Sequence, residues 1–121
     1  LPLGLLTNGF TDIQRPKVTR LGWDRYFRWL GVAEELDAFK PDPAIFRRMC
    51  ERMALAPGDV LYCGDSPVED IIPARQAGLR SCWLRREGPE VAAWNADAEA
   101  DYEVADITDV TRVVEGLLNP E

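Results

Sequence analysis

Four short apolar runs, set apart by stretches with helical periodicity, constrain this chain more tightly than any other feature. Leu3 to Leu6, Phe27 to Ala33, Val60 to Cys63 and Arg80 to Leu84 read as strands. Their near-continuous hydrophobicity predicts burial on both faces of a parallel sheet. The clearest intervening helix lies in KPDPAIFRRMCERMAL, where Asp42 can cap, Pro43 suits the first turn, and Ile45, Phe46, Met49, Cys50 and Met53 fall on one face. SPVEDIIPARQAG marks another, with Ser66 and Glu69 as a capping box, Pro67 at the first helical position and Gly78 past the end. Pro73, inside that pattern, should kink the helix or keep its first part short. A helix between Asp12 and Leu21 requires Pro16 in its first turn or a later start. DYEVADITDVTRVVEGLL reads as an edge strand followed by a short helix, and RREGPEVAAWNADAEAD as the one candidate for a mobile loop.

Strands alternating with helices in this order predict an open α/β sheet with right-handed crossovers, a Rossmann-like three-layer sandwich whose sheet is mainly parallel. The 121 residues, 46% of them hydrophobic, suffice for one domain with a single core. Fourteen basic residues against 21 acidic ones leave a net charge of -7, which argues against a nucleic-acid or membrane-surface footprint. No run approaches the roughly 18 apolar residues of a membrane span. Cys50, Cys63 and Cys82 lack ligand-like spacing and sit in mostly apolar segments, so they read as small buried hydrophobes of a reduced, cytoplasmic protein. A chain that opens on LPLGLL, with no initiator methionine and almost directly into a strand, reads as a piece of something longer.

Open α/β sheets bind ligands outside the carboxyl ends of their strands. Three polar clusters fall at that edge: Thr7-Asn8-Gly9 after the first run, Lys40 after the second, and Asp65-Ser66 after the third. Each has a plainer reading. Asn-Gly is a common turn pair, a loop lysine is ordinarily solvated, and Asp70 suits the first turn of a helix. Asp65 is harder to place, because Ser66 and Glu69 already cap the helix. As a set they suit phosphate chemistry. Two carboxylates about 4 Å apart repel by about 4 kcal/mol at an effective dielectric near 20, so they call for a cation. Lys40 supplies one charge, and Mg²⁺ is the natural partner of carboxylates that leave room for water and phosphate oxygens. A hydroxyl, turn N–H groups and a lysine are donors that would hold a phosphoryl group.

LLTNG, KPDPAIF and GDSPVEDIIPARQAG resemble the second, third and fourth motifs of the haloacid dehalogenase-like hydrolases, in order. Gly64-Asp65 followed by Asp70 matches the family's GDxxxxD form, and the resemblance covers roughly residues 3 to 85. It implies that Thr7 bonds a phosphoryl oxygen, with Asn8 and Gly9 placing backbone N–H groups near the same anion. Lys40 would neutralise the phosphoryl group and the attacking carboxylate. Asp65 would ligate Mg²⁺, and Asp70 would support the metal shell or orient Lys40. Most members hydrolyse phosphate monoesters through an aspartyl-phosphate, while a minority are dehalogenases or phosphomutases. A Mg²⁺-dependent phosphatase acting on a small phosphorylated metabolite is therefore expected. The alternative is a non-catalytic α/β module that keeps an anion and metal site; a receiver-like or flavodoxin-like domain has fold-level analogy alone.

The pattern departs from the family at its first motif, DxDxT, which carries the nucleophile and the general acid/base. Nothing before Thr7 supplies it, and Asp97-Ala98-Glu99 neither follows an apolar strand nor has the second aspartate. In the family that motif ends a central strand, between the runs at Leu3 to Leu6 and Val60 to Cys63. The expectation is a core lacking this strand and any cap, inactive alone and completed by an N-terminal segment of the same protein or by another copy. The 30 residues between Gly9 and Lys40 leave no room there for a large specificity domain.

Overall fold

The computed structural model describes residues 1–85 and 100–119, so Asp97, Ala98 and Glu99 lie outside the described residues. Among these described residues five strands and five α-helices follow one another in mixed order. They are β1 (Gly4–Thr7), α1 (Thr11–Arg20), β2 (Trp29–Val32), α2 (Ala33–Leu36), α3 (Ala44–Met53), β3 (Leu61–Gly64), α4 (Ile72–Gln76), β4 (Arg80–Leu84), β5 (Tyr102–Val104) and α5 (Val110–Leu118). The fold is the expected α/β, Rossmann-like class, and among the described residues every strand pair is parallel.

The strands form two sheets. β1 pairs with β2, Leu5 opposite Leu30, and β4 lies between β3 and β5, with Cys63 opposite Cys82 and Trp83 opposite Glu103. Among the described residues β1 pairs only with β2 and β3 only with β4, so each has one lateral edge with no strand against it. Burial on both faces, expected for all the strands, is reached in the middle of β4 and at Gly31 and Val32 of β2. In β4 Ser81, Cys82 and Trp83 are buried, whereas Leu5, Leu6 and all four residues of β3 are half-buried.

α3 spans the division. Asp42 caps it, its Oδ1 accepting from Ala44 N–H at 2.9 Å, and Ile45, Phe46, Met49 and Cys50 are its buried face, as the 3.6-residue period requires. Met49 reaches β1 and β2: its Cε and Sδ lie 3.3 and 2.5 Å from where a Cβ on Gly4 and on Gly31 would stand. Phe46 meets Tyr62 of β3 edge-on, ring centroids 4.8 Å apart. One apolar cluster thus joins α2, α3 and α4 with Leu6 and Trp29 from one sheet and Tyr62 from the other.

α1 begins earlier than the position of Pro16 suggested. Pro16 lies inside the helix beyond its first turn, at the loss of one backbone hydrogen bond. α2 compensates at the helix start, where Glu34 Oε1 accepts from Thr11 N–H at 2.9 Å and Arg15 makes two 2.6 Å hydrogen bonds to Glu35. The segment before α4 is a π-helical turn, Pro67–Ile71, so Pro73 does mark a change of helix geometry. The tail forms the expected short strand and helix.

Candidate active site

The carboxyl ends of β1 and β3 carry the polar residues that the sequence singled out. Thr7 is the last residue of β1, and its hydroxyl donates to the Asn8 carbonyl at 3.1 Å. Asn8 works mainly through its side chain. Its Oδ1 accepts from Lys40 N–H at 2.8 Å and its Nδ2 donates to the Lys40 carbonyl at 3.2 Å. This reciprocal pair fixes the loop after α2 to the end of β1, and so sets where the Lys40 side chain starts.

That side chain ends beside β3. Lys40 Nζ lies 3.0 Å from Asp70 Oδ1, in an ion pair whose side chains are only 13% and 8% exposed. Such a pair is costly to break, since removing one partner leaves the other charge uncompensated and desolvated. Asp70 is drawn against β3 at Gly64, where a Cβ would stand 2.6 Å from Asp70 Cγ; glycine is required there by close approach. The second carboxylate oxygen, Oδ2, accepts from Ser66 N–H at 3.2 Å. The capping box is therefore half as expected. Ser66 Oγ does accept from Glu69 N–H at 3.2 Å, but Asp70 serves the Ser66 N–H.

Asp65 follows β3 directly, and its carbonyl accepts from the buried Trp83 indole at 3.2 Å, which ties this loop to β4. The donor set is of the right kind for Mg²⁺, a hard cation that commonly takes one or two carboxylates and fills its shell with water and phosphate oxygens. Among the described residues no three His, Cys, Asp or Glu groups are gathered to hold a metal ion. Asp70 has both oxygens engaged by protein donors. Of the two roles expected of Asp70, its contacts match the orientation of Lys40.

Two supporting residues were not foreseen. Tyr62 donates its hydroxyl to Asp70 Oδ1 at 3.0 Å, and burial, reinforced by Asp70, pushes its phenol well above the ordinary range, so it remains a donor. The strand period hinted at it, because Tyr62 and Gly64 share a face of β3 and Asp70 covers that face. Gln14, on α1, donates to the Asn8 carbonyl at 2.7 Å and wraps the turn at Gly9, whose φ is +122°. No pattern in the sequence points to that contact. Cys63, although close by, is no nucleophile near neutral pH, since burial beside Cys82 pushes its thiol up to about 12.

The chain is similar to known proteins over most of its length. The family model for haloacid dehalogenase-like hydrolases matches residues 1–78. A phosphoserine phosphatase of Thermus thermophilus is 37% identical over 114 residues, covering 91% of this chain and 43% of its own length. Among solved structures, a HAD phosphatase from Thermococcus onnurineus superposes with a TM-score of 0.81 at 30% identity, over 95% of this chain and 51% of its own. A 2-haloacid dehalogenase from Pseudomonas syringae gives 0.79 at 35% identity, over 97% and 47%. The chain thus spans about half the length of the relatives it matches. With that family model matched over residues 1–78, relatives above 30% identity along most of its length and a parallel α/β fold, the chain belongs to the haloacid dehalogenase-like hydrolase family.

Proposed function

We propose that this chain forms the phosphoryl-binding half of a Mg²⁺-dependent phosphatase acting on small phosphate monoesters. The observation that carries the reading is the Lys40–Asp70 ion pair, held from one side by Asn8 and from the other by the turn after β3. A lysine aimed this way neutralises charge on a phosphoryl group, and Thr7 and the Asn8 and Gly9 N–H groups add donors to the same anion. Asp65 would hold Mg²⁺, which when bound neutralises further phosphoryl charge and orients the group.

The nucleophile is proposed to be an aspartate on a strand outside the described residues, seated between β1 and β3. Their strand-free edges and half-buried apolar faces support that placement, since unpaired backbone groups inside a sheet are costly. The carboxylate attacks phosphorus and the bond to the leaving oxygen breaks. That oxygen takes a proton from an acid on the same segment. Water then cleaves the acyl phosphate, which releases inorganic phosphate and restores the carboxylate.

The test uses the full-length protein with Mg²⁺. It should release phosphate from a simple monoester, and Asp65→Asn should lower both turnover and calorimetric Mg²⁺ uptake by at least about 100-fold. Unchanged turnover in Asp65→Asn together with no metal uptake by the parent would sink the reading. A 2-haloacid run in parallel addresses the dehalogenase alternative raised by the Pseudomonas neighbour; halide release without phosphate release would put that alternative first.

A further inference from the structure

We infer that Tyr62 is a positioning residue for Lys40: its hydroxyl sets the rotation of the ammonium so that one N–H donor remains directed at the anion. The inference rests on the reading that Lys40 meets a phosphoryl group.

A lysine ammonium has three donors arranged about its Cε–Nζ bond. A single acceptor leaves it free to pivot about that contact. Here Lys40 Nζ lies 3.0 Å from Asp70 Oδ1 and 3.5 Å from Tyr62 Oη, while the Tyr62 hydroxyl donates to the same Oδ1 at 3.0 Å. The three atoms close a triangle. With the phenolic hydrogen committed to Asp70, the lone pairs of Oη are available to a second N–H of the ammonium. The third N–H is left for an incoming oxygen. Tyr62 suits this task because its position is fixed twice, by the backbone of β3 and by Phe46 edge-on against its ring at 4.8 Å. Asp70 belongs to a π-helical turn, and Tyr62 and Ser66 N–H hold its two oxygens one each.

The experiment is a double-mutant cycle in the full-length protein with Tyr62→Phe, Asp70→Asn and the pair. Two readouts are taken: kcat on a simple phosphate monoester, and the Kd for inorganic phosphate by calorimetry. Tyr62→Phe keeps the ring against Phe46, so its unfolding midpoint in urea should stay near that of the parent. It should weaken phosphate binding and lower kcat by about tenfold each, as expected for losing one hydrogen bond to a charged group. In the Asp70→Asn background the same change should cost less than about twofold, because the residue acts through a shared partner. Values for Tyr62→Phe within about twofold of the parent, or an equal loss in both backgrounds, overturn the inference. A parent that binds phosphate without turning over a monoester overturns the hydrolase reading alone, and the phosphate Kd then decides for Tyr62. A parent that binds no phosphate overturns both.

Discussion

At Gly9 the backbone takes φ +122°, and a Cβ there would stand 2.7 Å from Gln14 Nε2. The sequence marked Asn8-Gly9 as a turn with an anion-binding use, and the turn was legible because positive φ selects glycine. The use made of the Asn8 side chain was not. Its amide clasps Lys40 across a separation of 32 residues, which no local pattern records. A Gly9→Ala substitution meets both backbone strain and the Gln14 amide, so it is expected to destabilise the chain by about 1–3 kcal/mol in urea unfolding. If Gln14→Ala is added, the steric part of that loss should be relieved and the strain should remain.

Among the elements, α3 shows how much a period conveys and where it stops. The buried stripe Ile45, Phe46, Met49 and Cys50 follows from i, i+3, i+4 spacing and the Asp42 cap. What that stripe covers does not follow from spacing. It bridges two sheets, and at Gly31 of β2 the packing is tight: a Cβ there would lie 2.5 Å from Met49 Sδ, 3.0 Å from Leu6 Cδ1 and 3.2 Å from Leu36 Cδ1. Three side chains from three elements cannot all withdraw, so Gly31→Ala should cost about 1–3 kcal/mol by overpacking. Chemical denaturation reads the loss, and pairing the change with Met49→Ala should recover part of it.

Across the molecule, Glu35 connects three helices: Arg15 of α1 at 2.6 Å, its own α2, and Arg52 of α3 at 3.5 Å. The Arg15 guanidinium first, then a hydrogen bond from the Thr11 side chain, holds its carboxyl down from the ordinary 4.5 to about 2. A depressed carboxylate contributes stability that is complete above its unfolded value and is lost as pH falls through the folded one. Glu35→Gln should therefore be less stable than the parent near neutrality by under about 1 kcal/mol, since the pair is solvent-screened. That gap should close between pH 4.5 and about 2 in a series of urea titrations.

The alternation of the main strands and helices, the Asp42 and Ser66 caps and the polar residues after β1 and β3 were legible in the chain, because each depends on backbone geometry within a few residues. Pro16 was the local rule that gave way: α1 runs through it, and Glu34 and Glu35 of α2 hold the first turns of α1 from outside. Packing settled the rest. Asp70 takes Lys40, Tyr62 and Ser66 as partners, and among the described residues β1 and β3 each keep one edge without a strand beside a shared apolar cluster. Lys40 and Asp70 stand 30 residues apart, so whether one charge finds the other is a matter of distance through space, and that is set when α3 draws the two sheets together.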